Sequence, residues 1–480
     1  MVKIILKRGR DESLRRFHPW VFSGAVAQVQ GSPAEGDIVG VYSAEGQFLA
    51  CGHWQVGSIA VRILSFDADP TAPGFWVDSI SRALAVREAV GLYRVGRSGE
   101  LPPETSGCAG PLPSDDGPLP LNVPRVAVFP EAVAASCPQT NCFRLVHGEG
   151  DGLPGLIIDW YDGVCVMQAH SVGMFRAKGQ ICEALKAVFG DRLKAVYDKS
   201  SGTAPFKAGL DLVDGYLYRA EGFDASEAVV LENGRKFLVN WEEGQKTGFF
   251  LDQRDNRDLV GRYAAGRRVL NLFCYTGGFS IYALTAGAAL VDSVDSSARA
   301  MDLVARNIEL NSTPGSGSQP LETSGCAGPL PSDDGPLPLN VPRVAVFPEA
   351  AAASPAAECN NYCEDAIEFL RKTPEGKYDL MIVDPPAFAK HRGALKNALR
   401  AYQRLNAAAI AKVAPGGLVF TFSCSQVVDK ITFANTVFSA AAQTGRSVRI
   451  LDRLCQGADH PVSIYHPEGE YLKGLLLYVE

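Results

Sequence analysis

The sequence lacks the features that mark membrane and secreted proteins. It has no run of 18 apolar residues, so no transmembrane helix and no membrane association are expected. Its first ten residues, MVKIILKRGR, have too short an apolar core for a signal peptide. None of its 12 cysteines forms a CxxC pair, and the spacings of Cys137/Cys142 and Cys359/Cys363 do not match common zinc sites. We therefore expect reduced, mostly buried cysteines, no metal, and a cytoplasmic location.

The chain also lacks an overall excess of positive charge. Its net charge of −7 over 480 residues argues against a nucleic-acid partner. The first 16 residues are an exception, because their cations outnumber their acids. Such a basic patch can neutralise RNA phosphates, and a solvated charged face that binds nothing is the alternative. The candidate RNA-binding cations are Lys7, Arg8, Arg10, Arg15 and Arg16.

Length and patterning predict several globular domains. Residues 1–70 alternate short apolar stretches with turns, which is typical of a small β-barrel-like module. Within it, residues 15–20 place cations beside aromatic rings, which suits a nucleotide surface, although a purely structural module with a basic edge would look the same. Residues 71–222 predict a small central α/β domain, and residues 223–480 predict a larger α/β domain.

A 29-residue segment occurs twice without change, at 104–132 and 322–350. A solenoid repeat would be tandem and diverged, whereas these copies are identical and far apart. We interpret both as Pro/Gly-rich surface loops inserted at about 101–136 in the central domain and about 314–354 in the C-terminal domain. Long surface insertions of this kind cost little loop-closure entropy.

One acidic cluster has the residue types of a metal site. His147, Glu149 and Asp151 lie within a glycine-rich turn of the central domain. We expect a turn stabilised by its own carboxylates there and no bound metal.

A predicted strand–turn–helix–strand unit is followed by Asp295 and is, alone, a weak functional signal. An acid about 20 residues after a glycine turn can bond ribose hydroxyls, although a plain βαβ unit without a ligand has the same pattern. Ser296 is expected to cap the next helix. The predicted parts of the unit are the strand Val269–Phe273, the turn Tyr275–Gly278, the helix Ser280–Ala288 and the strand Ala289–Val294.

Polar or reactive residues fall at the ends of five predicted strands. Ligands of open parallel sheets bind beyond the carboxyl ends of the strands, so we expect these residues to share a site. A polar and aromatic segment at residues 245–257 is expected to close over a nucleoside. The five strand-end residues are Asn271, Asp295, Asp365, Asp384 and Cys424.

Several motifs together resemble the bacterial 23S ribosomal RNA cytosine-5 methyltransferases that carry an N-terminal PUA domain. The resemblance covers the whole chain apart from the two repeated segments. It implies a class I, Rossmann-like methyltransferase domain that binds S-adenosylmethionine, together with a PUA β-barrel and a small central α/β domain. The motifs are LVHGEGDGLPGL at 145–156, KTGFFLDQR at 246–254, NLFCYTGGF at 271–279, DPPAF at 384–388, TFSCS at 421–425, ADHP at 458–461 and PEGEYLKG at 467–474.

The resemblance also implies roles for individual residues. Asp295 would bind the ribose of the cofactor, Asp365 would meet the adenine, and the segment Asn271–Gly278 would hold the methionine end. The implied cofactor contacts are Gln253, Arg254, Asn271, Phe273, Tyr275, Thr276, Gly277, Gly278, Asp295, Ser296, Asp365 and Asp384.

The implied catalytic residues are Cys424 and Asp384. Many cytosine-5 RNA methyltransferases carry a second cysteine in the Asp-Pro motif, but Pro386 stands at that position here, which leaves Cys424 as the nucleophile. A helix expected to begin near Asp429 would lower the pKa of the thiol. Asp384 would bond N3 or the N4 amino group of the cytosine.

Two other functions are compatible with the motifs. An Asp-Pro-Pro motif followed by an aromatic also marks RNA N-methyltransferases, which need no thiol, so Cys424 distinguishes the two chemistries. A ribosome assembly factor that binds RNA without catalysis is the second alternative, and the intact cofactor motifs argue against it. The expected partner is 23S ribosomal RNA, and relatives suggest a homodimer.

Overall fold

The computed structural model describes residues 1–93, 140–205, 209–312, 357–389 and 391–480. Both copies of the repeated segment, and therefore both predicted inserted loops, lie outside these ranges. The chain divides into an N-terminal unit, Met1–Asp224 with Val230–Gly234, and a C-terminal unit, Ala225–Val229 with Arg235–Glu480. In the described parts of the chain, no helix is long and apolar enough to cross a membrane.

The N-terminal unit begins with a six-stranded sheet in the order β2-β6-β5-β4-β1-β3. The sheet agrees with the small β-barrel-like module expected for residues 1–70. The sequence signal for β1 is weak because it is short and flanked by cations, yet Ile4 and Leu6 point into the core and are fully buried. The elements are β1 (Val2–Leu6), α1 (Glu12–Arg15), β2 (Trp20–Phe22), β3 (Val26–Gln30), β4 (Ile38–Tyr42), β5 (Phe48–Trp54) and β6 (Ile59–Ser65).

A five-stranded sheet in the order β11-β10-β9-β8-β7 forms the rest of this unit. Its core contains stacked rings of Trp160 and Phe189, whose centroids lie 4.3 Å apart. Ala177 separates two consecutive helices, α3 and α4. The elements are α2 (Phe75–Ala89), β7 (Cys142–His147), β8 (Leu156–Tyr161), β9 (Val164–Ala169), α3 (Val172–Arg176), α4 (Lys178–Phe189), β10 (Ala195–Asp198) and β11 (Gly215–Arg219).

The carboxylates of the glycine-rich turn bind protein groups. Asp151 forms an ion pair with Arg87 and accepts a hydrogen bond from the backbone N–H of His147 at 2.6 Å. Glu149 accepts a hydrogen bond from Arg62 at 2.9 Å. The turn is thus stabilised by its own carboxylate, as the sequence predicted.

A two-stranded hairpin, β12 (Glu227–Glu232) and β13 (Arg235–Asn240), follows in the chain. Its turn residues Asn233 and Gly234 have φ angles of 49° and 77°. Two consecutive positive φ angles form the turn that matches the twist of a hairpin, which explains why Asn and Gly occupy these positions.

The C-terminal unit is built on a seven-stranded sheet in the order β16-β15-β14-β17-β18-β20-β19. β14 to β18 are parallel, and β20 is antiparallel to both of its neighbours. The strands are β14 (Arg268–Leu272), β15 (Leu290–Asp295), β16 (Glu358–Cys363), β17 (Leu380–Val383), β18 (Gly417–Ser423), β19 (Val448–Cys455) and β20 (Lys473–Val479).

Helices cover both faces of this sheet. The near-continuous apolar sequences of β17 and β18 reflect burial on both sides. The strand order reverses at the neighbouring strands β14 and β17, because β15 and β16 lie on one side of this pair and β18 lies on the other. Ligands of such sheets bind beyond the carboxyl ends of the strands at this point. The helices are α5 (Arg254–Ala264), α6 (Gly278–Thr285), α7 (Ala298–Ser312), α8 (Ala366–Lys372), α9 (Leu395–Lys412) and α10 (Lys430–Thr444).

Candidate functional site

A cleft of about 310 Å³ opens where the parallel strands of the C-terminal unit end. It brings together residues that are far apart in the chain and come from seven segments. Most of the site residues predicted from the sequence line it. These are Gln253, Phe273, Tyr275, Thr276, Gly278, Asp295, Ser296, Asp365, Asp384 and Cys424.

Three residues that were predicted to contact the cofactor do not line the cleft, but they contact the segments that do. Asn271 is buried within β14 and not at its end, and its Nδ2 donates to Ser280 Oγ of α6 at 2.9 Å. Arg254 donates to both carboxylate oxygens of Asp459 at 3.0 and 2.8 Å. Gly277 packs its backbone against Val304. These residues position α6 and the start of α5, which carry the lining residues.

The loop after β14 is held in an unusual conformation beside Asp295. Phe273 and Tyr275 have φ angles of 59° and 48°, which non-glycine residues rarely adopt. The Asp295 carboxylate accepts from the backbone N–H of Tyr275 at 3.0 Å through Oδ2 and from that of Ser297 at 2.9 Å through Oδ1. Each carboxylate oxygen has further acceptor capacity, so Asp295 can also bind a vicinal diol such as a ribose.

Asp365 and Ser296 border the cleft beside Asp295. Asp365 follows β16 and caps α8, where its Oδ1 accepts from the backbone N–H groups of Ile367 and Glu368 at 3.0 and 2.9 Å. The expectation that Ser296 caps the next helix was wrong. Its neighbour Ser297 makes that contact, with Oγ accepting from the N–H of Ala300 at 3.2 Å, and Ser296 lines the cleft.

Asp384 lies directly after β17 on the cleft wall. Gln253 donates from Nε2 to Asp384 Oδ2 at 2.9 Å, and Gln253 is itself held by Asn256, whose Nδ2 donates to Oε1 at 2.6 Å. Burial, and next the negative charge of Asp252, raise the pKa of Asp384 to about 7. This carboxyl can therefore bind or release a proton near neutral pH.

Cys424 follows β18 and is half-buried in the same cleft. Burial and the nearby Asp384 raise the pKa of its thiol, while Lys246 opposes this effect. The helix expected near Asp429 is present as α10, and its N-cap residue Asp429 accepts from the N–H of Thr432 at 2.8 Å. The expectation that this helix lowers the pKa of the Cys424 thiol was wrong, because burial and Asp384 raise it.

Three charged residues of the site were not predicted from the sequence. Lys246 lines the cleft with its Nζ 4.6 Å from the ring centre of Phe250. Asp252 lines the cleft beside Gln253. Lys473 of β20 is buried, which lowers its pKa to about 8. All three lie inside motifs given in the sequence analysis, but the spacing of these motifs in the chain does not predict that the three residues lie near Cys424.

Lys473 supports the loop that carries Cys424. β20 pairs with β18 so that Lys473 lies opposite Ser423. Its Nζ donates to the backbone carbonyls of Ser425 at 2.6 Å and Tyr471 at 2.7 Å. Lys473 thus links the residue that follows Cys424 to the segment that precedes β20.

The predicted RNA-binding cations lie between β1 and β2 of the N-terminal unit, in and around α1, and most of them already bind protein groups. Arg15 pairs with Asp11 at 2.7 Å, Arg16 pairs with Glu12, and Arg8 is 3.8 Å from Glu45. Lys7 donates to the carbonyl of Gly24 at 2.9 Å, and Arg10 is exposed. Surface ion pairs are weak, so these cations can exchange their partners for phosphates.

Comparison with protein families gives two matches in the chain. A model of the PUA-like domain matches residues 4–66, and a model of S-adenosylmethionine-dependent methyltransferases matches residues 143–315. The curated protein "Ribosomal RNA large subunit methyltransferase I" of Aeromonas hydrophila is 33% identical, covering 99% of this chain and 98% of its own. The protein of the same name from Shewanella amazonensis is 34% identical, covering 100% and 99%.

Solved structures with the same overall fold include SMU.776, described as a methyltransferase and complexed with SAH. It matches with a TM-score of 0.70 at 18% identity over 100% of both chains. A protein from Streptococcus mutans, described as a SAM-dependent methyltransferase, matches with a TM-score of 0.69 at 18% identity, also over 100% of both chains. The α/β methyltransferase fold and N-terminal PUA-like domain predicted from the sequence are thus confirmed.

Proposed function

This chain belongs to the ribosomal RNA large subunit methyltransferase I family, and from that premise we propose that it methylates C5 of a cytosine in 23S ribosomal RNA through a covalent adduct with Cys424. The observation that carries the proposal is one cleft lined by Cys424, Asp384 and Asp295. A thiol, a carboxyl that titrates near neutral pH, and a diol-binding carboxylate are the groups that this reaction needs.

The family uses S-adenosylmethionine, and the residues around Asp295 fit it. Asp295 would bind the ribose hydroxyls, Asp365 would face the adenine, and the backbone of the Phe273–Gly278 loop would approach the methionine end. When bound there, the cofactor supplies an electrophilic methyl group. Gln253, Ser296 and the aromatic rings of the lining would order the ligand and exclude water.

Cys424 would supply the nucleophile that activates the base. Cytosine C5 is a poor nucleophile, but addition of the thiolate to C6 turns C5 into the nucleophilic carbon of an enamine. Because burial and Asp384 raise the pKa of the thiol, Cys424 would be mostly protonated in the absence of RNA. Lys246, at the mouth of the cleft, opposes this effect and favours the reactive thiolate.

Asp384 would orient the cytosine. With a pKa of about 7, it is partly protonated near neutral pH and can then donate a hydrogen bond to N3. In its ionised form it can accept a hydrogen bond from the N4 amino group. Gln253 donates to one of its two oxygens, Oδ2, and thereby holds the carboxyl in place on the cleft wall.

The N-terminal unit would supply RNA affinity. Its PUA-like domain carries the five candidate cations, and phosphate contacts are largely independent of RNA sequence. The relatives are named for ribosomal RNA of the large subunit, which supports 23S rRNA as the substrate. A cytoplasmic location belongs to this proposal because ribosomal RNA is there, and a homodimer stays a prediction.

RNA N-methylation is the competing reaction, and the requirement for a thiol nucleophile distinguishes cytosine-5 methylation from it. Asp384-Pro-Pro386 suits a nitrogen substrate, but that reaction needs no thiol beside it. In the proposed reaction, RNA that carries 5-fluorocytosine should trap the wild-type enzyme covalently, because fluorine does not leave as a proton does. Cys424→Ala should form no adduct and lose methylation, while its affinity for S-adenosylmethionine stays unchanged.

The substrate for this experiment is large-subunit ribosomal RNA from cells that lack the enzyme, because it is unmodified at the target. Mass mapping of that RNA, before and after treatment with purified enzyme, identifies the methylated base. Cys455→Ala, which changes an exposed thiol of β19 outside the cleft lining, is the matched control. Retained methylation by Cys424→Ala, or a methyl group on nitrogen, would reject the cytosine-5 assignment.

A further inference from the structure

A second buried carboxylate, Asp252, stands in the cleft without a role in the function proposed so far. Only 7% of the residue is exposed, and it lines the cleft with Asp384 and Cys424. The hydroxyl of Tyr471 donates to Asp252 Oδ2 at 2.6 Å. A hydroxyl that donates to a carboxylate stabilises its negative charge and fixes its orientation.

Asp252 is tied to the other reactive groups by its neighbour. Gln253, the next residue, donates to Asp384 Oδ2 at 2.9 Å, so one short turn positions both carboxylates. The charge of Asp252 contributes to the raised pKa values of both Asp384 and Cys424, which places the three groups within electrostatic reach of one another. Asp252 is therefore part of the reaction centre by position.

The proposed reaction leaves one proton without an acceptor. After methyl transfer, C5 of the adduct carries both the new methyl group and its original hydrogen, while C6 is bonded to sulfur. The thiol cannot leave until a base takes that hydrogen as a proton. Asp384 already bonds the cytosine edge in the proposed reaction, and Asp252 is the other carboxylate of the cleft whose charge reaches Cys424.

We propose that Asp252 is the catalytic base that removes the C5 proton from the methylated adduct. The proton moves to the Asp252 carboxylate, and the electrons of the C5–H bond form the C5–C6 double bond. The C6–S bond breaks, and its electron pair returns to Cys424 as a thiolate. The step is balanced without any further reactant, and Tyr471 positions the base. This inference rests on the proposed cytosine-5 reaction.

The test uses the full chain, methyl-labelled S-adenosylmethionine, and large-subunit ribosomal RNA from cells that lack the enzyme. Asp252→Asn should slow turnover by roughly 10²- to 10⁴-fold, the usual contribution of a general base. It should also accumulate a protein–RNA adduct that carries the label and survives a denaturing gel. A merely structural role for Asp252 would lose turnover without trapping a methylated adduct.

Three matched variants sharpen the result. Asp258→Asn changes an aspartate of α5 that pairs with Arg262 away from the cleft, and it should behave as wild type. Asp252→Asn combined with Cys424→Ala should form no adduct. Tyr471→Phe keeps the carboxylate but removes its hydrogen-bond donor, and it should show a smaller accumulation of the same adduct. If Asp252→Asn does not fold, Tyr471→Phe is the variant that tests the proposal.

Two results would overturn the assignment of Asp252. One is unchanged turnover in Asp252→Asn. The other is a loss of turnover in Asp252→Asn or in Tyr471→Phe without a labelled adduct on ordinary RNA. In this result the variant is still trapped by 5-fluorocytosine RNA. In the second case the cytosine-5 reaction stands and another group is the base. Failure of wild-type enzyme to be trapped by 5-fluorocytosine RNA would instead reject the proposed function itself.

Discussion

Gln253 donates a hydrogen bond to Asp384 over 2.9 Å, although 131 residues separate them in the chain. Gln253 belongs to a short turn before α5, and Asp384 follows a central strand of the sheet. The bond favours the ionised carboxylate, yet burial and Asp252 outweigh it and raise the pKa of Asp384 to about 7. The site therefore holds a carboxyl that titrates far above its ordinary range.

This raised pKa predicts a pH dependence of stability. The folded protein binds a proton on Asp384 up to about pH 7, whereas the unfolded chain releases it near the ordinary value of 3.8. Between these two values the folded state binds more protons, so the stability that this group contributes is lost as pH rises from about 3.8 to about 7. The slope is at most about 1.4 kcal/mol per pH unit.

Asp384→Asn should remove that slope. Denaturant unfolding of wild type and variant at several pH values between 4 and 8 measures the difference in unfolding free energy, in which the contributions of all other groups cancel. The variant should gain stability relative to wild type as pH rises. A difference that does not change with pH would show that Asp384 titrates normally in the folded protein.

The environment of Cys424 predicts how it reacts with iodoacetamide. Burial and Asp384 raise its pKa, so its alkylation should increase with pH around a midpoint above that of an ordinary thiol. Lys246 opposes the rise, so Lys246→Met should slow alkylation at a fixed pH. Charge pairs with an exposed partner contribute about 0.2–1 kcal/mol, which corresponds to roughly 1.4- to 5-fold in rate. Lys246→Arg should retain the wild-type rate.

Peptide mass spectrometry reports the extent of alkylation at each cysteine separately. Lys430→Met is the matched control, because Lys430 lowers the pKa of Cys455 and is not among the groups that affect Cys424. It should slow labelling of Cys455 only. Equal labelling of Cys424 in wild type and Lys246→Met would remove Lys246 from the reaction centre.

Asp295 is predicted to bind the cofactor ribose. Its replacement by Ala should weaken the binding of S-adenosylmethionine by roughly 1.5–3 kcal/mol, the usual contribution of a hydrogen bond to a charged group. Asp295→Asn keeps an acceptor for the N–H of Tyr275 or Ser297 and should lose less. Isothermal titration calorimetry measures both, with Asp302→Ala on the exposed side of α7 as the control. Unchanged affinity in Asp295→Ala would disprove the assignment.

The basic cluster is predicted to bind RNA phosphates and to do no chemistry. Replacing Lys7, Arg8, Arg10, Arg15 and Arg16 by Gln should weaken RNA binding and reduce the slope of log K against log salt concentration by about one for each lost contact. Arg10→Gln alone should show this effect with the least disturbance of ion pairs. Replacement of Arg371 and Lys372, two exposed cations of α8, by Gln is the control. An identical salt slope would place the RNA contacts elsewhere.

The sequence by itself was sufficient to locate the ends of the strands that carry the chemistry. Asp384 follows a buried run that can only be a central strand, and Asp295 and Cys424 follow similar runs. Parallel strands ending at one edge bring such residues together, and the structure confirms that all three line one cleft. Asn271 does not line this cleft because it is buried within β14 and bonds Ser280 of α6, a contact that the sequence pattern does not predict.

Tertiary structure alone decided the charges within the site. The pKa of Asp384, the pKa of Cys424 and the hydrogen bond from Tyr471 to Asp252 depend on burial and on neighbours from distant segments. The sequence correctly predicted a helix near Asp429 but not the direction of the pKa shift of Cys424, which burial and Asp384 raise. Local patterning determines strands and turns because it acts through the backbone, whereas pKa values follow from the packing of residues hundreds of positions apart.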